Sequence, residues 1–232
     1  MKITGIQKNS FVDYPGKIAA VAFTPGCNMD CFYCHNRQII CTEQQSELID
    51  EQVFLNFIKK RQSFLEGIVI SGGEPTLQSD LPTYIKAIKD TGYPVKLDTN
   101  GTNPSMLRKL IAEKLIDYVA MDIKAPFEKY QQICGRAIEM SQIQESIELL
   151  MQSQIEYEFR TTFVPQLTEE DGVLIAKKIK GAKRYVLQQY RKPMIKGIDF
   201  QDERLDDTPY ATHIMRDIES QVKSFVKTVE LR

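Results

Sequence analysis

Apolar and polar positions along the chain predict short strands that alternate with amphipathic helices. The predicted strands are Ile18–Thr24, Gly67–Ser71, Pro94–Thr99, Tyr118–Ile123, Ile155–Val164 and Arg184–Gln189. The helices predicted between them are Asp50–Gln62, Leu81–Lys89, Asn103–Lys114, Ser141–Gln152 and Thr168–Lys180. Each strand is therefore followed by a helix before the next strand begins.

Capping residues mark several of the predicted helix boundaries. Asp80 is the predicted N-cap of its helix, with Gly92 just past the end of that helix. Asn103 precedes a proline at the start of the next helix. Thr168 and Asp171 resemble a capping box in which Asp replaces the usual Glu or Gln.

Regular alternation of strands and helices favours parallel strands joined by right-handed crossovers. Six units are two fewer than a closed barrel, which typically takes ~250 residues. The segment from about 208 to 232 predicts one helix, Thr208–Phe225, and a short strand, Thr228–Leu231. We therefore predict an α/β protein with a partial, open (β/α)6 TIM-like barrel. Residues 1–232 are expected to form one domain, with its core at about 17–190.

Composition excludes some classes of function. The formal net charge is −1, from 30 basic and 31 acidic residues, which predicts no nucleic-acid partner. No apolar run approaches the ~20 residues of a membrane span. The first residues carry no apolar signal stretch, which predicts a cytoplasmic location, and five cysteines are an odd number for a disulfide framework. Cys134 is then expected to be a buried or free thiol.

Three cysteines follow the first strand at C-x3-C-x2-C spacing, namely Cys27, Cys31 and Cys34. They supply three thiolates where a four-iron cluster needs four ligands, which leaves one iron open to another ligand. The alternative is a structural zinc site that recruits Cys41 as its fourth thiolate. The later runs SGGEP and DTNG disfavour zinc, because a structural zinc site has no use for them.

The cysteine spacing resembles that of the radical S-adenosylmethionine (SAM) enzymes. In that superfamily, SAM chelates the open iron of a [4Fe-4S] cluster, and the reduced cluster releases a 5′-deoxyadenosyl radical from it. The wider set of motifs is similar to that of the glycyl-radical-enzyme activases, and the resemblance implies the same partial barrel. These motifs are SFVDYPG at 10–16, CHN at 34–36, SGGEP at 71–75, DTNG at 98–101, MDIKA at 121–125 and RTTFVP at 160–165.

The resemblance implies roles for the residues near the cysteines and after the second strand. It makes the three cysteines the cluster ligands and places Tyr33 against the adenine of SAM. His35 is expected to contact SAM through its backbone or to orient the cluster. Gly72, Gly73 and Glu74 match the motif whose backbone receives the amino group of SAM.

The resemblance also implies roles for residues after the next two strands. Asp122, Ile123 and Lys124 are expected to line the SAM pocket. Asp98, Thr99 and Asp122 are expected to surround a monovalent cation, which would offset the repulsion between the carboxylates. In some relatives a histidine at the end of the sixth strand touches the ribose. This chain has Gln188, Gln189 and Tyr190 there, which are candidates to replace that histidine by hydrogen bonding.

The resemblance implies a protein substrate, a glycyl radical enzyme, whose glycine loop would enter through the lateral opening of the barrel. The motifs are most similar to activases of anaerobic ribonucleoside-triphosphate reductase, and pyruvate formate-lyase activases share nearly all of them. A radical SAM enzyme acting on a small molecule is a further alternative. Two cysteines outside the motif are too few for a second cluster, so flavodoxin or ferredoxin is the expected electron donor.

Overall fold

Eight strands form one sheet, and their spatial order follows their order in the sequence. The computed structural model describes residues 1–40, 48–193 and 200–232. The first strand pairs antiparallel with the second, and all later neighbours pair in parallel. The strands are Gly5–Tyr14 (β1), Lys17–Thr24 (β2), Gly67–Gly72 (β3), Val95–Thr99 (β4), Tyr118–Asp122 (β5), Glu156–Phe163 (β6), Tyr185–Gln189 (β7) and Val229–Leu231 (β8).

Helices connect the parallel strands and pack against the apolar face of the sheet. They are Arg37–Ile40 (α1), Glu51–Lys59 (α2), Leu81–Lys89 (α3), Pro104–Ala112 (α4), Tyr130–Cys134 (α5), Met140–Gln152 (α6), Glu169–Lys178 (α7) and Thr212–Val222 (α8). Asn103 caps α4 by accepting from the backbone of Met106, and Thr168 with Asp171 forms the predicted capping box. Asp80 occupies the N-cap position of α3 without a capping hydrogen bond.

The predicted α/β partial barrel is confirmed. The six predicted strands correspond to β2–β7, and β8 adds to β7 in parallel. In the described part of the chain the sheet is linear from β1 to β8, and no pairing joins these two end strands. The barrel is therefore open on one side.

The sequence analysis missed β1, which lies at the edge of the sheet. Most of its side chains are exposed or half-buried, and only Ser10 and Tyr14 are buried. The pairing with β2 shifts register on either side of Ser10. Since neither strict alternation nor an apolar run marks this segment, its sequence carries no strong strand signal. Its hairpin, which contains the SFVDYPG motif, lies at the amino end of β2.

The two faces of the parallel strands have different chemistry. Alternate residues of β5 show this, because Val119 and Met121 join the large apolar core while Tyr118 and Asp122 face the barrel interior with charged partners. The interior face also carries Lys96 and Glu158, both almost completely buried. No helix in the described residues is long and apolar enough to cross a membrane.

Candidate functional site

A cavity of about 210 Å³ lies at the carboxyl ends of strands β2–β6. All residues predicted to hold the cluster, SAM or the cation line this cavity except Ile123 and the candidates at 188–190. Asp122 and Lys124 face it, whereas Ile123 between them is 1% exposed and belongs to the apolar core beneath the helices. Successive side chains of an extended segment point to opposite sides, which explains why Ile123 is turned away.

The cysteine loop is joined to the SGGEP segment by backbone hydrogen bonds. Gly26, directly before the first cysteine, accepts from the backbone N–H of Glu74 at 2.8 Å. A Cβ at Gly73 would lie 1.8 Å from the Gly26 carbonyl oxygen, so a glycine is required for this approach. Asn36 adds a side-chain bond, because its amide donates to the carbonyl of Gly72 at 2.9 Å.

Helix α5 supports the same loop from the other side. Its last residue, Cys134, accepts from the backbone N–H of Asp30 at 2.8 Å. Gly135 follows with φ +70°, and a Cβ there would lie 2.5 Å from the Asp30 carbonyl oxygen. Arg37 completes the contact by pairing with the Asp30 carboxylate at 2.8 Å. The loop is thus held between the end of α5 and the SGGEP segment.

Cys134 is buried, as predicted, but it also contacts the cysteine motif. The neighbouring Cys134 thiol lowers the pKa of Cys31 to about 7, although burial opposes the shift. Burial raises the pKa of Cys27 to about 12, and burial also raises the pKa of Cys34. Cys134 itself does not line the cavity. Within the described part of the chain, the cysteines that line the cavity are therefore Cys27, Cys31 and Cys34.

Glu74 connects the SGGEP and DTNG segments through its carboxylate. Thr76 donates to Oε1 from its backbone N–H at 3.2 Å and from its hydroxyl at 2.5 Å. Thr99 donates to the same oxygen at 2.8 Å, and the backbone N–H of Asn100 donates to Oε2 at 2.7 Å. Burial raises the pKa of Glu74, which is 1% exposed. These contacts make the carboxylate a structural connection between two motifs.

Positive side chains compensate the two aspartates of the cavity. Asp98 pairs with Lys96 and lies 3.5 Å from Arg160, while Asp122 pairs with Arg160 at 2.8 Å and with Lys124 at 2.9 Å. Burial alone would raise the pKa of Asp122, but Arg160 and Lys124 outweigh it and hold that pKa below its ordinary value. Lys96, Arg160 and Lys124 thus provide the charge compensation that the sequence analysis expected from a monovalent cation. The geometry therefore gives that cation no support.

Tyr33 and His35 lie on the cluster side of the cavity. The hydroxyl of Tyr33 is buried without a hydrogen-bond partner, while the ring packs edge-on against Phe32. His35 is exposed at the cavity wall. An unpaired buried hydroxyl and three sulfurs facing one cavity fit the cluster and nucleotide that the sequence resemblance implies.

The zinc alternative receives no support from the described residues. Among them, no three Cys, His, Asp or Glu side chains converge on one metal-ion position. A structural zinc ion needs four ligands around a single point. Cys41, the fourth thiolate of that alternative, lies outside the described residues.

Several cavity residues were missed by the sequence analysis. Arg160 and Thr162 line the cavity from β6, within the RTTFVP motif that contributed only to the resemblance. Arg160 lies inside the predicted strand Ile155–Val164, so position at a strand end did not mark it. Ser71, Asn36 and Asn100 also line it.

The candidates at the end of β7 lie away from the cavity wall. Gln188 accepts a hydrogen bond from Thr162 at 3.4 Å, so it touches a cavity residue without lining the cavity itself. Gln189 donates to the Tyr210 carbonyl at 2.8 Å, and Tyr190 is 1% exposed. On this side, β6 forms the wall of the cavity.

The segment after residue 200 packs against the outside of the cysteine loop. The guanidinium of Arg204 lies 4.2 Å from the centre of the Phe32 ring and donates to the Gln132 carbonyl at 2.7 Å. The guanidinium of Arg37 lies 3.4 Å from the centre of the Phe200 ring. This part of the chain therefore covers the loop that carries the cysteines.

Comparison with known proteins identifies a family and similar sequences. Residues 21–179 match the family described as the Radical SAM superfamily. A Methanocaldococcus jannaschii protein named as a glycyl-radical enzyme activating enzyme is 37% identical over 240 residues, 99% of this chain and 95% of the relative. The pyruvate formate-lyase-activating enzyme of Clostridium pasteurianum is 32% identical over 127 residues, 53% of this chain and 52% of the relative.

A solved structure has a similar fold. It is a domain of a pyruvate-formate lyase-activating enzyme from Bacteroides vulgatus, with a TM-score of 0.53 and 14% sequence identity. The match covers 70% of this chain and 98% of that domain. At this identity the likeness concerns the fold alone.

Proposed function

Because the chain belongs to the radical SAM superfamily and, within it, to the glycyl-radical-enzyme activating enzymes, we propose that it generates a glycyl radical on an anaerobic ribonucleoside-triphosphate reductase. In this proposal SAM is cleaved reductively at a [4Fe-4S] cluster. The SFVDYPG and CHN motifs support this choice of partner. Pyruvate formate-lyase is the second candidate, supported by the similarity to the Clostridium pasteurianum enzyme.

The observation that carries the proposal is the common cavity of the motif residues. The three cysteine sulfurs, the Gly72-Gly73 backbone and the charged residues of β4–β6 all face one space. In the proposal the cysteines hold the cluster, and the glycine backbone receives the amino group of SAM. Lys124 and Arg160 supply positive charge near the methionine carboxylate, and Tyr33 packs on the adenine.

The cluster, when bound, supplies the electron that breaks a carbon–sulfur bond of SAM. The chain's own contribution is to position the reactants and to limit access of water. The charged groups around Asp98 and Asp122 are already paired with each other, so they can present a fixed field to the nucleotide without reorganising. We propose flavodoxin or ferredoxin as the electron donor.

Radical formation on candidate partners tests the proposal. Reconstituted protein, a strong reductant and SAM are mixed under anoxia with the reductase or with pyruvate formate-lyase, and electron paramagnetic resonance (EPR) is recorded. The expected result is a glycyl-radical signal with the reductase, accompanied by methionine and 5′-deoxyadenosine. Omission of SAM and a partner whose acceptor glycine is replaced by alanine are the controls.

The two measurements, SAM cleavage and the glycyl-radical signal, distinguish the outcomes. Cleavage of SAM without a radical on either partner contradicts the proposed substrate, and a radical on pyruvate formate-lyase alone selects the second candidate. Loaded protein that does not cleave SAM contradicts the proposed reaction as a whole.

A further inference from the structure

Asn100 lies between the cysteine loop and Glu74, directly after strand β4. It is 5% exposed and belongs to the DTNG motif. Its backbone N–H donates to Glu74 at 2.7 Å, which fixes the position of the residue relative to the SGGEP segment. Its side chain points away from that contact, toward the loop that carries the cysteines.

A closed ring of three hydrogen bonds fixes the orientation of the Asn100 amide. Its nitrogen Nδ2 donates to Asn28 Oδ1 at 2.9 Å, and Asn28 Nδ2 donates to the Thr102 hydroxyl at 2.8 Å. The Thr102 hydroxyl donates back to Asn100 Oδ1 at 2.7 Å, and the Thr102 backbone N–H donates to the same oxygen at 3.0 Å. Because Oδ1 accepts two bonds here, the NH₂ end must face the cysteine loop.

The amide has one more N–H than the ring uses. An asparagine amide carries two donors, and Asn28 takes one of them. The second faces the sulfur of Cys27, and the Nδ2 to Sγ distance is 3.9 Å. The backbone N–H of Met29 also donates to this sulfur, at 3.4 Å. Cys27 therefore has one backbone donor and one side-chain donor.

A donor beside a cluster thiolate changes the energy of cluster reduction. Reduction adds one electron to the cluster without breaking a bond or moving a proton at Cys27. The added negative charge is shared with the thiolate ligands, so an N–H directed at a ligand sulfur stabilises the reduced form more than the oxidised form. Hydrogen bonds to the sulfurs are among the recognised determinants of cluster potential.

We propose that Asn100 donates an N–H···S hydrogen bond to Cys27 and thereby raises the reduction potential of the cluster. The inference rests on the proposed function, because it requires the cluster on the three cysteines. In this assignment Asn100 acts on the cluster through its ligand Cys27, so it is a positioning residue. The ring with Asn28 and Thr102 keeps its amide in the donating orientation.

The reduction potential of the reconstituted protein tests this assignment. EPR-monitored redox titrations without SAM compare the wild type with Asn100→Ala. We expect the ratio of reduced to oxidised cluster at a fixed solution potential to fall about tenfold, which for one electron is about 59 mV. Thr102→Val removes the hydroxyl that orients the amide, and a smaller shift in the same direction is expected.

Asn36→Ala is the matched control. It also removes an asparagine amide that braces the cysteine loop, but that half-buried amide donates to the carbonyl of Gly72 and not to a sulfur. The potential of this variant should equal that of the wild type. A shift as large as that of Asn100→Ala would attribute the effect to loosening of the loop and would overturn the assignment.

The iron content of the wild type and of each variant is measured together with the potential, because it shows whether the cluster is present. An unchanged potential in Asn100→Ala protein that holds four irons overturns the proposal. If that variant does not retain the cluster, Thr102→Val decides, and an unchanged potential there has the same consequence. A wild-type protein that takes up no cluster contradicts the proposed function instead, so the two failures are distinguishable.

Discussion

The carboxylate of Glu74 shows how one side chain can join two sequence motifs. Its four donors come from Thr76, Thr99 and Asn100, and the side chain has almost no contact with solvent. The sequence analysis expected the backbone of the Gly72–Glu74 segment to receive the amino group of SAM, and this stays a prediction. The Glu74 carboxylate is bonded within the protein, which leaves the backbone as the part of this segment that can contact SAM.

Replacement of Glu74 by glutamine tests this structural role. An amide NH₂ takes the place of one carboxylate oxygen and confronts an N–H or O–H that needs an acceptor. We expect the free energy of unfolding to fall by about 1–3 kcal/mol, measured by urea denaturation of the cluster-free protein. The exposed Glu113→Gln should stay within about 0.5 kcal/mol of wild type. Equal effects of the two variants would contradict the role assigned to Glu74.

At the scale of elements, the sequence predicts those strands and helices whose pattern of apolar and polar residues reflects their burial. Strands β2–β7 read as apolar runs because helices cover one of their faces, and caps such as Asn103 and Thr168 mark where helices begin. Strand β1 is an exposed edge, and α5 has only five residues, so neither carries a periodic signal.

The candidate site was predictable to the extent that its residues lie in motifs at strand ends. Sequence order alone could not show that Asn100 faces Cys27, because 73 positions separate them and only the parallel pairing brings their loops together. The interaction between Cys134 and Cys31 was not predicted for the same reason, since the two residues are far apart in the sequence. Long-range contacts between loops are set by the assembled sheet, not by local pattern.

The end of helix α5 is predicted to control the shape of the cysteine loop. Gly135→Ala places a Cβ 2.5 Å from the Asp30 carbonyl oxygen, so the loop or the helix must move. We expect less iron bound per protein after reconstitution, measured by metal analysis. Gly92→Ala is the matched control, since Gly92 also has positive φ (+92°) but open space around its Cβ. If the two variants bind equal amounts of iron, the close approach of α5 does not shape the loop.

At the scale of the whole molecule, charged residues occupy both ends of the barrel interior with different partners. At the carboxyl ends of the strands, Asp98, Asp122 and Arg160 line the open cavity. Toward the other end, Glu158 is fully buried and accepts from the Tyr118 hydroxyl at 3.0 Å and from Arg232 at 3.1 Å. In barrels of this type the carboxyl end carries the chemistry and the other end contributes stability.

This division predicts that stability and SAM binding can be changed separately. Glu158→Gln removes the charge that pairs with Arg232, whose side chain is 30% exposed, so we expect a loss of about 2 kcal/mol in urea denaturation. Its affinity for SAM, measured by calorimetry on the reconstituted protein, should stay within about twofold of wild type. Lys124→Met at the cavity should weaken SAM binding by about tenfold or more, because a charge-assisted contact is lost. Comparable weakening by both variants would mean that the two ends are coupled, since Glu158 could then affect the cavity only through the strands that connect them.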